Sequence, residues 1–77
     1  MNITEFCALL AKVVNEEPVA ISPDTTLSSL PGWDSVGVVM WIVEVDEIFG
    51  VTLQAKQIAG CKTARDLAVL LGDRILA

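Results

Sequence analysis

Hydrophobic residues recur at helical spacing in three stretches of the chain, and the first begins close to residue 1. Asn2-Ile3-Thr4-Glu5 has the form of a capping box, in which two side chains satisfy each other's backbone N–H groups. The apolar positions that follow repeat every three to four residues as far as Asn15, which predicts a helix over residues 3–15. This apolar set consists of Phe6, Leu9, Leu10, Val13 and Val14.

The second stretch follows Pro31-Gly32 and predicts a helix over residues 35–49. Asp34 or Ser35 is its N-cap, and Gly50 stands where a left-handed glycine would end it. Its valines are modest helix formers, but the length of the segment and the group of acids near its end favour a helix over a strand. The positions expected to share one face are Val38, Ile42, Val45 and Phe49.

The third stretch opens on a second capping box, Thr63-Ala64-Arg65-Asp66, and predicts a helix over residues 63–76. A short helix over 54–59 precedes it. Residues 16–34 are rich in turn residues and predict a long loop, a length that in compact domains is often functional. We expect its apolar residues to anchor it: Val19, Ile21, Leu27 and Leu30. The predicted fold is all-α, a small four-helix bundle, with one domain over residues 1–77.

Charge is distributed unevenly along the chain. The net charge is −5, and no lysine or arginine lies between residues 13 and 55, where seven of the ten acidic residues are found. An acidic surface repels nucleic acid and attracts partners with basic docking surfaces. The alternative is that the acids only keep a chain with 53% hydrophobic residues in solution. We expect a monomer.

Several classes of protein are disfavoured by what the sequence lacks. The uncharged run from Ser35 to Val43 is too short to span a membrane, and the N-terminus has no signal-peptide pattern, so we expect a cytoplasmic protein. The chain has no histidine, which leaves any serine without the usual general base, and its two cysteines support neither a zinc site nor a disulfide framework. Cys7 and Cys61 are therefore interpreted as small apolar residues.

The segment Gly32-Trp33-Asp34-Ser35-Val36 places a serine at the mouth of the second helix. Asp and Ser are common N-caps, so a purely structural role is the simplest interpretation. A phosphate esterified to Ser35 would nevertheless meet the free N–H groups and the positive dipole end of that helix, which favour an anion by about 0.3–1 kcal/mol.

With this motif in place, the whole chain resembles the acyl carrier and peptidyl carrier proteins. The resemblance covers a first helix, a long loop, an Asp-Ser motif opening an acidic helix, a short third helix and a Thr-initiated last helix; Val36 stands where leucine is usual. It implies that a phosphopantetheinyl transferase attaches 4′-phosphopantetheine to Ser35, with Asp34 helping to position metal and phosphate. The arm's thiol would carry acyl or aminoacyl groups as thioesters between loading and processing enzymes, and the protein itself would have no catalytic residues and no metal site.

By the same resemblance, the second helix would face partner enzymes through Val36, Met40, Val43, Glu44 and Glu47. Trp41 either joins this face or lies in the core. Trp33 either packs under the loop, the interpretation we favour, or guides the arm. Members that serve primary fatty-acid synthesis tend to carry acids in the first turns of this helix, which has none before Glu44, and Trp33-Asp34-Ser35 is similar to the motif of stand-alone carriers of secondary metabolism. We therefore favour a dedicated biosynthetic pathway over bulk fatty-acid synthesis. An acyl cleft would be lined by Val39, Ile42, Val43, Ile58, Leu67 and Leu71, and the bulk of Trp41 would favour short or polar cargo.

A second hypothesis remains at this point. The chain could be a small acidic interaction module that binds a basic partner and never carries a prosthetic group, with Ser35 as a mere cap. Ser35→Ala would abolish the function of a carrier, whereas a module would keep its binding; in either case loss of the cap would cost about 0.5–2 kcal/mol.

Overall fold

The computed structural model describes residues 1–76 and shows a helical bundle without strands in that range. The all-α prediction is therefore confirmed; the last residue of the predicted domain, 77, lies outside the described range. No helix within residues 1–76 has the length and hydrophobicity needed to cross a bilayer. The helices are α1 (Ile3–Val13), α2 (Ser35–Phe49), α3 (Ala55–Ala59) and α4 (Ala64–Val69), with single 3₁₀ turns at Pro18–Ala20, Leu27–Ser29 and Gly72–Arg74.

Helix α1 begins as predicted and ends two residues early. The Glu5 N–H donates to Asn2 Oδ1 (2.8 Å) and the Asn2 N–H donates to Glu5 Oε1 (3.1 Å), which completes the capping box. At the other end Asn15 has φ +60°, a left-handed conformation that asparagine tolerates better than most residues and that cannot continue a helix. The predicted limit of residue 15 is therefore wrong, and the helix ends at Val13.

Helix α2 has its predicted limits, whereas α4 is much shorter than the predicted 63–76. The capping box at Thr63 is present, with the Asp66 N–H donating to Thr63 Oγ1 (3.3 Å). The helix ends at Val69, and Gly72 then takes φ +58° and turns the chain into a 3₁₀ turn. The spacing of the leucines cannot reveal this break. Leu71 lies beyond the end of α4 and is buried, as it would also be in a longer helix.

The core is centred on Trp41, which is fully buried. Its ring meets Phe6 of α1 edge to face, with ring centroids 5.3 Å apart and planes at 89°. The alternative that Trp41 faces partners is therefore wrong. Its indole N–H has no acceptor within the described residues, a desolvation cost that the packing of the ring has to offset. The other large side chains that are fully buried are Phe6, Leu10, Leu27, Val45, Leu67 and Leu71.

The long loop between α1 and α2 is fixed to the start of α4 by backbone hydrogen bonds. The Leu27 N–H donates to Lys62 O (2.8 Å), and the Ala64 N–H donates to Thr25 O (3.1 Å). Three predicted anchors of the loop are buried: Ile21, Leu27 and Leu30. The fourth, Val19, is 96% exposed on the first 3₁₀ turn, so that expectation was wrong.

The two ends of the described chain lie side by side. The Ile3 N–H donates to Leu76 O (2.8 Å), and the Leu76 N–H donates to Met1 O (2.9 Å), which forms a short parallel bridge. The bridge ties the segment after α4 to the start of α1, so that both helices pack on the same core.

Candidate functional site

Ser35 is the first residue of α2, and it does not cap the helix. The cap is Asp34, whose Oδ1 accepts a hydrogen bond from the Gly37 N–H at 2.9 Å. Ser35 is exposed, and its hydroxyl makes no hydrogen bond within residues 1–76. The interpretation of Ser35 as a mere cap is therefore wrong, and its hydroxyl is available for chemistry.

Two glycines set the position of this serine. A Cβ on Gly32 would lie 2.3 Å from the Val14 carbonyl oxygen, and a Cβ on Gly37 would lie 2.1 Å from the Gly32 carbonyl oxygen. The end of α1, the turn before α2 and the first turn of α2 therefore touch backbone to backbone, which holds Ser35 at a fixed place. Sequence reasoning missed the role of Gly37; its signal was a glycine in the first turn of a helix, where it is intrinsically unfavourable.

The end of α2 that carries Ser35 favours an anion. Asp34 satisfies the N–H of Gly37, but the N–H groups of Ser35 and Val36 have no protein acceptor among the described residues. Together with the dipole of a 15-residue helix, these donors form a favourable environment for a phosphate ester on the serine.

The exposed face of α2 is apolar near Ser35 and acidic near its end. Val36, Met40 and Val43 are 67%, 51% and 51% exposed, Glu47 is exposed and Glu44 is half-buried. These five predicted partner-facing residues therefore share one side of the helix, although their function stays a prediction. The ion pair found within residues 1–76 joins Arg65 to Asp24 (3.3 Å), so the acids of α2 are unpaired there.

A cavity of about 410 Å³ opens beside Ser35, between α2 and α3. Of the predicted cleft residues, Val39 and Ile58 line it. The others do not: Leu67 and Leu71 are buried in the core, Ile42 packs against the core, and Val43 faces solvent. The complete lining consists of Trp33, Ser35, Val38, Val39, Ala55, Ile58, Ala59 and Cys61.

The two thiols and one carboxylate, that of Asp66, have pKa values shifted by their local surroundings. Cys7 is buried and Cys61 half-buried, both are free, and burial raises the pKa of each thiol. Hydrogen bonds from the backbone N–H groups of Lys62 and Thr63 lower the pKa of Asp66, as expected for a capping carboxylate. Within residues 1–76 no three potential ligands come close enough together to hold a metal ion.

A four-helix bundle that presents a free serine at the head of an acidic helix has the architecture of a carrier domain, and comparisons with known proteins agree. Residues 4–71 match the family described as the phosphopantetheine attachment site. The chain therefore belongs to the phosphopantetheine-binding carrier family, and its prosthetic group is covalently attached 4′-phosphopantetheine. The prediction of the carrier family is thus confirmed, and the alternative of an interaction module without a prosthetic group is wrong.

Among curated proteins, the acyl carrier protein MbtL of Mycolicibacterium paratuberculosis is similar to this chain. The two are 32% identical over 63 residues, which cover 82% of this chain and 71% of that protein. No solved structure matches the chain significantly. Carriers of this family work with phosphopantetheinyl transferases and with synthases in general.

Proposed function

We propose that this chain carries acyl intermediates as thioesters on 4′-phosphopantetheine attached to Ser35. The observation that carries the proposal is that Asp34 takes over the capping of α2, which leaves the exposed hydroxyl of Ser35 unused. The 4′-phosphopantetheine group supplies a thiol at the end of a flexible arm. The chain supplies the attachment point, a helix end that favours the phosphate and a scaffold that partners can recognise.

The role of Asp34 in this proposal follows from its position next to the serine. Its Oδ1 is used by the cap, whereas the other oxygen of this exposed carboxylate makes no hydrogen bond within the described residues. That oxygen is available to the metal ion that a transferase brings. Asp34 thus orients the start of α2 and presents a ligand beside the reacting hydroxyl.

Partner enzymes would recognise the exposed face of α2, with contacts of two kinds. Apolar groups would meet Val36, Met40 and Val43 close to the serine, and cations would meet Glu44 and Glu47. At a rise of 1.5 Å per residue, these two acids lie about 14 and 18 Å along the axis from Ser35. A partner with basic residues at that distance from its active-site entrance, and an apolar rim closer in, would fit this surface.

The cargo is proposed to be an acyl group of a dedicated biosynthetic pathway. The apolar first turns of α2, which carry no acid before Glu44, support a specialised set of partners. The related MbtL is named an acyl carrier protein, which favours an acyl over an aminoacyl group.

Loading of the apo protein tests the attachment site. The protein is incubated with coenzyme A, Mg²⁺ and a broad-specificity phosphopantetheinyl transferase, and its intact mass is measured. We expect a gain of one phosphopantetheine that Ser35→Ala abolishes. The matched control is Ser29→Ala, which removes another exposed serine hydroxyl, one that donates to Thr26 O at 2.6 Å, and should leave loading unchanged.

Localising the modification needs a protease other than trypsin. No base lies between residues 13 and 55, so all four serines fall in a single tryptic peptide. Cleavage after acidic residues gives peptides 25–44 or 35–44, and fragmentation then identifies the modified residue. Loading of correctly folded Ser35→Ala, or mass added at a different residue, would refute the proposed site.

A further inference from the structure

Gly37 closes the segment that carries Ser35 into a ring. Its N–H donates to Asp34 Oδ1 at 2.9 Å. Its Cα packs against the carbonyl group of Gly32, so closely that a Cβ on Gly37 would overlap the carbonyl oxygen. Residues 33–36, with Ser35 among them, therefore lie in a closed ring between the two glycines.

The ring is also fixed to the first helix. Gly32 packs against the Val14 carbonyl group, and a Cβ on Gly32 would overlap the oxygen of that group. Val14 is buried, and its N–H donates to Leu10 O at 3.0 Å, which ties it to α1. We call the contact of Val14, Gly32 and Gly37 the backbone lock. Its closest contacts are between main-chain atoms, so the rotation of a side chain cannot relieve them.

Both glycines are required by the close approach and not by their backbone angles. The glycines with a positive φ are Gly50 and Gly72, so neither Gly32 nor Gly37 is in the left-handed region that favours glycine. Gly37 lies in the first turn of α2, where alanine would be intrinsically more favourable. The lock thus breaks a local rule of helix formation in the turn that presents the reactive serine, and such breaks are expected at functional sites.

The lock determines how Asp34 and Ser35 lie relative to each other. Gly37 holds Oδ1 of the Asp34 side chain, and the Val38 N–H donates to Asp34 O at 2.9 Å. Both the side chain and the main chain of Asp34 are therefore fixed. Since Ser35 follows directly, the Asp34 carboxylate and the Ser35 Cβ keep one mutual geometry before a transferase binds.

We propose that Gly32 and Gly37 are positioning residues for the transfer of phosphopantetheine to Ser35. This rests on attachment at Ser35, as proposed above. In the transfer, the Ser35 oxygen attacks the phosphorus that bears the pantetheine in coenzyme A and gives its proton to a base of the transferase. The new P–O bond forms as the pyrophosphate P–O bond breaks, and adenosine bisphosphate leaves with the electron pair. The glycines touch none of the reacting atoms and act through the backbone.

A small displacement has a large effect on such a reaction. Attack on phosphorus requires the attacking oxygen and the leaving group to be in line, and a misplacement on the order of 1 Å can reduce the rate by about 100-fold. Gly37→Ala forces the first turn of α2 away from the turn before it. Gly37 is buried, so the added methyl group leaves the exposed face of α2 unchanged. We therefore expect the kcat of transfer to fall by about 10- to 100-fold, while the KM for the carrier changes by less than about twofold.

Loading kinetics measure both constants. A broad-specificity phosphopantetheinyl transferase is supplied with coenzyme A and Mg²⁺, and the concentration of the carrier is varied. Gly60→Ala is the matched control, because it adds the same methyl group where nothing lies closer than Gln57 O at 3.7 Å. Ala68→Gly, at a buried position of α4, is a destabilised control. Both controls should load with the kcat and KM of the unmodified protein.

The double variant Gly37→Ala/Gly60→Ala separates positioning from folding. Gly60 has helical dihedral angles, so Gly60→Ala should restore much of the stability that Gly37→Ala removes. We expect urea unfolding to show this recovery while the kcat of transfer stays low. Recovery of kcat together with stability would overturn the inference, as would an unmodified kcat in Gly37→Ala itself. A double variant that does not fold would also overturn it, because the lock would then serve the fold and not the transfer.

Gly32→Ala tests the other contact of the lock, that with Val14. In the Gly60→Ala background it should lower kcat in the same way, and an unchanged kcat would contradict the proposal. The failure of attachment at Ser35 is distinguishable from the failure of the lock. If the unmodified protein gains no mass, attachment at Ser35 fails. If the unmodified protein loads and the two glycine variants load equally fast, attachment stands and the positioning role is refuted.

Discussion

Replacing Gly37 by alanine tests the backbone contact that holds Ser35. In an ordinary helix this change stabilises, because glycine is about 1 kcal/mol less favourable than alanine. Here the new Cβ would lie 2.1 Å from the Gly32 carbonyl oxygen, whereas real Cβ contacts essentially never fall below 3.0 Å. The neighbour is backbone, so no side chain can rotate away. The helix and the turn must separate by at least 0.9 Å.

The cost of that separation decides the sign of the effect. Overpacking a tight contact typically costs about 1–3 kcal/mol, which exceeds the gain in helix propensity. We expect Gly37→Ala to lower the free energy of unfolding by about 1 kcal/mol, the difference between a mid-range overpacking cost of about 2 kcal/mol and a propensity gain of about 1 kcal/mol. Against a stability of about 4–12 kcal/mol for a domain of this size, the loss is measurable and the protein still folds.

Urea unfolding followed by tryptophan fluorescence and circular dichroism measures this difference. The matched control is Gly60→Ala, because Gly60 has helical dihedral angles and a Cβ there would meet nothing closer than Gln57 O at 3.7 Å. That variant should be more stable by about 0.4–1 kcal/mol. A Gly37→Ala protein as stable as the unmodified one, beside a stabilised Gly60→Ala, would refute the argument for a backbone lock.

Three further predictions concern the cap, the core and pH. Asp34→Ala should lower the free energy of unfolding, measured with urea, by about 1 kcal/mol, whereas Ser35→Ala should lower it by only about a few tenths of a kcal/mol. A larger loss for Ser35→Ala than for Asp34→Ala would identify Ser35 as the cap. Trp41→Ala should cost about 3–5 kcal/mol, whereas Trp41→Phe should cost clearly less by the same assay, because it also removes an unpartnered N–H. Because the pKa of Asp66 is lowered, its stabilising effect is present above the ordinary carboxyl pKa of about 4 and disappears as pH falls through the lowered value. Asp66→Asn should therefore reduce the loss of thermal stability between about pH 5 and pH 2, and an unchanged acid profile would contradict this.

The parts of the fold that were predictable are those with local signals. The capping boxes at Asn2 and Thr63 and the left-handed Gly50 mark helix ends through short-range hydrogen bonds and backbone preference, and all three are present. The left-handed turn at Gly72 was missed, because the apolar spacing continues through it to Ile75. The end of α1 was placed at Asn15, two residues beyond its last helical residue, Val13.

The candidate site was predictable in its chemistry and less so in its geometry. The position of Ser35 followed from the motif and from the helix it opens. The side of α2 on which Trp41 lies depends on how that helix packs against Phe6, and the cavity walls depend on α3 and the loop, which are long-range contacts without a sequence pattern. The close approach at Gly37 likewise appears only once the turn at Gly32 is placed.

The bridge between Asn2 and Leu76 has a mechanical consequence. The two ends of the described chain lie next to each other. A force that pulls these ends apart therefore acts first on the two hydrogen bonds of the bridge and only then on the helices. Domains whose ends meet in this way tolerate circular permutation and insertion into the loops of other proteins. The same scaffold can therefore be grafted into a larger protein without stretching the helix that presents Ser35.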